Sequence, residues 1–327
     1  GTFIAAATIR CPMNRLNASY FKSKYKRVKD MINSLEGRFF QAFIALLEEK
    51  SFSRAGERLG YVQSTVTTHI QQLEKICGQK LFHRFPRGVE PTEAGKVFSK
   101  YAYQYVHLSE SLKESMNDMN EPCGTINIRL QESFFLTRML PFVQEYTRNF
   151  PSVNLRVEQG AHQDILKSVL DYALDFGIVP QNPERHDILF YPIMEETIVF
   201  VASEDLVRKV ESVGAQILND EVFISNGTSC LYHTTAVDVL KNEGIVVKDA
   251  LELSSLEMIK ELVCCGKGFA LVPKIAIKNK LKMGRLKILP FTSKISFTHG
   301  LIVHKNRERS FTAESFQSEL LKYFKEC

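Results

Sequence analysis

The 327-residue chain has no apolar run approaching the roughly 20 residues that a membrane-spanning helix needs, so no transmembrane segment is expected. Its seven cysteines (Cys11, Cys77, Cys123, Cys230, Cys264, Cys265 and Cys327) form neither a CxxC pair nor an even framework. Scattered thiols of that kind fit a reducing cytosol rather than a disulfide-stapled fold. The eight histidines are dispersed, with no HExxH and no Cys/His cluster, so no metal site is expected. No G-x-S-x-G elbow is present. Gly266-Lys267-Gly268 follows a helical segment and enters a strand, the reverse of the order a phosphate cradle needs. With no convergent nucleophile, base or metal set, the expectation is a protein that is not an enzyme and carries no cofactor.

A dominant charge is missing as well, despite a formal net charge of +5. Residues 1–30 hold seven Lys/Arg and one acid, residues 31–122 hold eleven of each sign, and residues 123–327 hold 24 against 25. A whole-protein electrostatic argument for nucleic-acid binding therefore fails. Locally it does not: residues 50–87 hold seven Lys/Arg and two acids, so a nucleic-acid face is expected there. Residues 1–30 are read as an extension outside the fold, because the first periodic apolar segment starts beyond them.

That segment, residues 35–49, places Phe39, Phe40, Phe43, Ile44 and Leu47 on one helical stripe. Ser53 is expected to cap a short helix ending at Gly60, and a third helix runs from Gln63 to about Ile76, closed by Gly78. Leu81-Phe82 and Pro86-Arg87-Gly88 predict a hairpin. Three helices and a wing make a winged helix-turn-helix over residues 31–91. From Thr92 a long helix follows, to about residue 121. Along it Phe98, Tyr101, Tyr105, Leu108, Leu112, Ser115 and Met119 recur at alternating spacings of 3 and 4. That is a heptad seam, which implies a two-helix coiled coil and a homodimer.

Beyond Gly124 strands and helices alternate through residues 124–305, which predicts α/β architecture with parallel sheets covered by helices. The pattern occurs twice. Two subdomains are expected, one of about 124–196 with 297–327 and one of about 203–295, crossed by hinge segments near 196–202 and 296–304. A last helix falls in residues 306–327.

Residues 31–122 resemble the DNA-binding half of the LysR-type transcriptional regulators. The landmarks are Phe43, Ser51-Phe52-Ser53, Ala55, Leu59, Gln63, Ile70, Leu73-Glu74, Gly78, Leu81-Phe82, Arg84 and Thr92-Glu93-Ala94-Gly95. The chain departs from the family's common pattern at Val62, where a small capping Ser is usual, and at Ser64 and Thr68, where Pro and Arg are usual. The remainder is similar to the family's effector-binding domain, itself like periplasmic binding proteins, through the order of elements and ELVCCGKGFALVP at 261–273. The resemblance covers about residues 31–305. It implies a bacterial, cytoplasmic regulator that binds double-stranded DNA as a homodimer or homotetramer and responds to a small-molecule effector. RNA polymerase is a further partner it allows. A solute-binding-like carrier is the alternative, which leaves residues 31–122 unexplained.

Gln63, Ser64, Thr65, Thr67 and Thr68 open the third helix, where such motifs reach base edges. Gln pairs with adenine and a Thr methyl touches the thymine methyl, so Gln63 and Thr68 are the first candidates for base readout. Arg54, Lys80, Arg84 and Arg87 are placed for phosphates. In the second half Gln131-Glu132-Ser133, Asn226-Gly227-Thr228-Ser229 and Ser254 fall at strand-to-helix junctions, where α/β folds bind ligands. Helix N-termini there favour an anion such as a carboxylate, whereas Glu132 could select an ammonium group, so an amino acid or a neutral polar ligand stays open as well. Cys230 adjoins this loop and raises the question of redox sensing.

Overall fold

The structure is a computed structural model that describes residues 31, 33–116, 121–228, 230–291 and 293–326. The expectation for residues 1–30 lies outside the described residues. The chain divides into two compact units, Gly1–Val106 and His107–Cys327.

The first unit contains α1 (Gly37–Glu49), α2 (Phe52–Leu59), α3 (Gln63–Cys77), the hairpin β1 (Phe82–Phe85) and β2 (Gly88–Pro91), and the start of α4 (Glu93–Met116). Its core joins Phe39, Phe40, Phe43 and Leu46 of α1 to Ala55 of α2 and to Val66, Ile70 and Leu73 of α3. The period of 3.6 places these residues on facing sides of the three helices. Gly60 and Gly78 end α2 and α3 in the left-handed conformation, both at φ 68°. The cap of α2 differs from the reading above. Ser51, one turn ahead of Arg54, accepts the Arg54 N–H at 3.5 Å, and Ser53 lies inside the helix. β1 and β2 pair antiparallel from Phe82↔Pro91 to Phe85↔Gly88, leaving Pro86 and Arg87 as the turn.

At the head of α3, Val62 occupies the cap position and offers no side-chain bond to the first helical amides. Val62→Ser is therefore expected to stabilise the first unit by about 1 kcal/mol. A urea midpoint that stays put or falls in this variant would contradict the assignment of Val62 as the cap.

The second unit is built on one nine-stranded sheet in the order β4-β3-β5-β11-β6-β9-β7-β8, with β10 (Lys287–Ile288) paired to β6. β3 (Gly124–Leu130) lies parallel between β4 (Val153–Gln159) and β5 (Phe176–Val179). β7 (Phe223–Ser225) lies parallel to β8 (Ala250–Glu252) and β9 (Phe269–Pro273). The long antiparallel pair β6 (Ile188–Ala202) and β11 (Ile295–His304) carries the chain from one half of the sheet to the other. The crossing segments are longer than the alternation alone indicated. Residues 188–195 also belong to β6, where Pro192 and a register shift at His299/Gly300 break the two-residue period. Gly300 is required at that shift, since a Cβ there would lie 2.2 Å from the Phe190 ring.

Helices cover both halves. In the first subdomain, a turn at Glu132–Phe134 and a π-helical turn at Phe135–Met139 lead into α5 (Leu140–Asn149), followed by α6 (His162–Leu170) and the closing α11 (Phe311–Glu326). Their core gathers Ile126, Ile128, Phe142, Tyr146, Phe176, Leu301 and Phe316. In the second subdomain, α7 (Glu204–Val213), α8 (Leu231–Asn242), α9 (Leu256–Cys264) and α10 (Lys278–Lys282) pack on Phe200, Phe223, Leu240, Val263 and Phe269.

At the seam between the halves, His299 is 2% exposed and stacks on Phe134 at 4.6 Å. Burial first, and the nearby Arg138 guanidinium second, hold its ring at a pKa of about 4, below the usual 6.5. The unfolded chain takes up this proton at higher pH than the folded one. The stabilisation is therefore complete above about pH 6.5 and is lost as pH falls toward 4, for a total of about 3 kcal/mol. His107 and His162 are lowered by burial as well and act in the same direction. His299→Leu is expected to flatten the fall in urea midpoint between pH 6.5 and 4. An unchanged slope would show that other groups carry it.

Candidate functional site

α3 presents two faces. Val66, Ile70 and Leu73 are fully buried, whereas Gln63, Ser64 and Thr68 are exposed and Thr65 and Thr67 half-buried. The Thr67 hydroxyl donates to the Gln63 carbonyl at 3.1 Å and the Thr68 hydroxyl to the Ser64 carbonyl at 3.0 Å. Gln63 Nε2 donates to Thr67 Oγ1 at 3.1 Å. These short-range bonds hold the side chains against the first turn, on the side facing away from the core.

The four candidate phosphate contacts differ. Arg54 lies 3.6 Å from the Glu49 carboxylate, and Lys80 pairs with the buried Glu74 at 2.8 Å, so both carry a partner already. Arg84 is exposed, its guanidinium over the Phe52 ring at 4.8 Å. Arg87 sits exposed at the tip of the wing turn. Sequence reasoning passed over Tyr61, His83 and Phe85, which are exposed beside α3 and on the wing. Phe85 in particular is 54% exposed, and an aromatic next to a hairpin tip is the signal that could have singled it out.

Along α4 the seam begins one residue earlier than the spacing alone indicated. Phe98, partly buried, packs against the core of the first unit, its ring 5.5 Å from Phe40 and 4.8 Å from Phe43. Val97, Tyr101, Tyr105, Leu108 and Leu112 are exposed, Leu112 at 61%. Met119 and the side chain of Ser115 lie outside the described residues.

In the second unit a cavity of about 330 Å³ opens between the subdomains. Gln131, Glu132, Ser133, Asn226 and Ser254 line it, as the junction argument expected. Gly227 and Thr228 do not. They turn toward Glu252, which accepts the Thr228 N–H at 3.3 Å. Ser229 lies outside the described residues. The cavity also takes in Gln159, Gly160, Ala161 and His162 at the end of β4, together with Cys230, Tyr232 and Leu256. Residues 159–162 form a strand-to-helix junction like the others, so the same rule, applied throughout, reaches them. Glu132 crosses the cleft: its carboxylate accepts the Ser255 hydroxyl at 3.1 Å and the Leu256 N–H at 3.3 Å, at the start of α9. Cys230 is half-buried, and burial pushes its thiol pKa up. That shift favours the protonated thiol over the reactive thiolate. A larger hollow of about 480 Å³ near Arg138, Lys274, Lys278 and Lys282 lies on the surface, with its lysines in water. No group of three or more His, Cys, Asp or Glu among the described residues is placed to hold a metal ion.

A winged helix with a polar, exposed recognition face, on the same chain as a two-subdomain unit enclosing a metabolite-sized cleft, defines a ligand-responsive DNA-binding regulator. Two family models match along the chain: the bacterial regulatory helix-turn-helix protein of the lysR family over residues 38–96, and the LysR substrate binding domain over residues 119–325. The chain belongs to the LysR family of transcriptional regulators. It is similar to the uncharacterized HTH-type transcriptional regulator YwqM of Bacillus subtilis, at 29% identity over 86% of this chain and 97% of that protein. The HTH-type transcriptional regulator GltR of the same organism is 27% identical over 82% of this chain and 90% of its own length. Among solved structures, ArgP from Mycobacterium tuberculosis superposes with a TM-score of 0.69 at 17% identity, over 89% of this chain and 97% of that one. CbnR complexed with its target DNA superposes with a TM-score of 0.58 at 16% identity, over 89% of this chain and all of that one (100%). At these identities the structures show a shared fold. The helix-turn-helix match removes the carrier alternative, which left residues 31–122 unexplained.

Proposed function

We propose that the chain works in the bacterial cytoplasm as a homodimer, or a pair of dimers, on an interrupted inverted repeat in double-stranded DNA. It performs no catalysis and holds no cofactor. Gln63 and Thr68 read base edges, with Ser64, Thr65 and Thr67 beside them. Arg84 and Arg87 hold phosphates, and Arg54 and Lys80 do so more weakly because each has an acid at hand. The exposed row Val97, Tyr101, Tyr105, Leu108 and Leu112 on α4 supplies the apolar surface that a second copy covers. A small molecule in the cleft favours one arrangement of the two subdomains, and that shift in population alters transcription through the linker helix and RNA polymerase.

The observation that carries this reading is the exposed polar face of α3 beside an arginine-tipped wing. Two substitutions separate base reading from phosphate holding. Gln63→Ala is expected to cost about 1–3 kcal/mol on the preferred site and little on random DNA. Arg87→Ala is expected to weaken both equally and to lower the salt slope by about 1. Fluorescence anisotropy over a salt series checks this, and equal losses on both DNAs for Gln63→Ala would take that residue out of base readout.

A further inference from the structure

The cleft is rich in hydrogen-bonding groups, yet no lysine or arginine among the described residues lines it. Two of the backbone N–H groups that could hold an anion are taken by the chain's own carboxylates. Glu132 accepts the Ser255 hydroxyl and the Leu256 N–H, filling the N-terminus of α9. Glu252 accepts the Thr228 N–H in the loop ahead of α8. Amides so arranged favour negative charge, and here side chains supply it.

Beside hydroxyl donors such as Tyr232, the cleft keeps groups that accept hydrogen bonds. Glu132 has no Lys or Arg partner among the described residues, and an ionised carboxylate keeps capacity beyond two donors. Gln131 Oε1 is buried without a partner. His162 is 8% exposed and lines the cavity with Nδ1 unpartnered. Burial pushes its ring pKa down, so the ring adds no positive charge, and a neutral imidazole carries one acceptor nitrogen beside one donor. A carboxylate entering here would meet Glu132 with no countercharge. An ammonium or guanidinium group would meet the counter-ion and the acceptors it lacks elsewhere.

We propose that the cleft takes a small organic cation, an amine or guanidinium compound without a carboxylate, with Glu132 as its counter-ion. This rests on the cleft being the effector site. The volume of about 330 Å³ suits a metabolite of modest size.

Titration calorimetry on the full-length protein tests the proposal with three probes: putrescine, agmatine and glutarate. At least one amine is expected to bind saturably, and glutarate is expected not to bind. Glu132→Gln keeps the shape and an acceptor for Ser255 and Leu256 but removes the charge, and it is expected to weaken amine binding at least tenfold. Ser254→Phe, at an exposed lining position, is expected to abolish it. Silence from both amines overturns the proposal, as does amine binding indifferent to Glu132→Gln. Glutarate binding that Ser254→Phe abolishes overturns it too, while leaving the cleft as the effector site. A probe that binds wild type and Ser254→Phe alike sits elsewhere and removes the cleft reading itself.

Discussion

Arg307→Ala is expected to lower the unfolding free energy of the second unit by about 3–5 kcal/mol, because it removes one partner from a buried ion pair. Arg307 and Asp175 are 7% and 6% exposed, and the guanidinium meets the carboxylate at 2.7 Å. Each has further partners. Arg307 donates to the Tyr172 carbonyl at 2.7 Å, while Asp175 accepts the Asn127 N–H at 2.7 Å and its side-chain amide at 3.2 Å. Tyr172 itself stands at φ 62°, which is uncommon for a residue with a side chain, so the arginine also braces the turn after α6. His107, at the start of the second unit, joins the cluster: Nδ1 accepts from Arg307 at 3.1 Å and Nε2 donates to the Glu308 carbonyl. Burial first, and the Arg307 charge second, lower its pKa, so a neutral ring is the form that makes both bonds. The alanine variant leaves the Asp175 charge buried with its countercharge gone. Combining Arg307→Met with Asp175→Asn is expected to recover part of the loss, since an apolar or neutral replacement of a buried pair is far less costly than half of one. Urea unfolding of the full-length protein reads both, and a loss under about 1 kcal/mol for Arg307→Ala would show the pair to be solvated in practice.

Glu74→Ala is expected to cost the first unit about 2–4 kcal/mol, and to weaken DNA binding beyond that loss of stability. Glu74 is 5% exposed on α3, and one oxygen accepts the Leu81 N–H at 2.9 Å and the Phe82 N–H at 3.4 Å. Those amides are buried, so alanine leaves them without partners. The Lys80 ammonium on the other oxygen is largely in water and matters little. The carboxylate thus ties the base of the wing to the recognition helix. A second tie comes from Thr92, which donates its hydroxyl to the Lys80 carbonyl at 2.7 Å and its N–H to the Leu81 carbonyl at 2.9 Å. Glu74→Gln keeps one acceptor oxygen and is expected to lose about half as much. Thermal midpoint and anisotropy on the same samples separate stability from wing placement. Binding that falls only as the folded fraction falls would remove the positioning role.

Much of this architecture was legible because residue type and spacing decided it together. The buried stripe of α1, the glycine stops at Gly60 and Gly78, and the parallel strands of the second unit follow from periods of 3.6 and 2. The readings that shifted did so where two periodic surfaces share one helix. Phe98 continues the heptad, yet it also faces the winged-helix core, and the tertiary contact with Phe40 and Phe43 claims it. Ser51 and Ser53 are equally good caps by composition, and only the observed bond to the Arg54 amide separates them. Strand β6 was half hidden because Pro192 and the shift opposite Gly300 interrupt its alternation. In the cleft, junction residues were visible as a class. Which of them face inward depends on carboxylates far away in sequence, as Glu252 shows for Thr228.

The most direct test of the central claim is selection of bound sites from random double-stranded DNA by the full-length protein, beside Gln63→Ala. The account predicts enrichment of a dyad-symmetric interrupted repeat by the wild type, with the enriched bases of each half-site lost or changed in the variant. No enriched sequence, or the same half-sites recovered by Gln63→Ala, would contradict it.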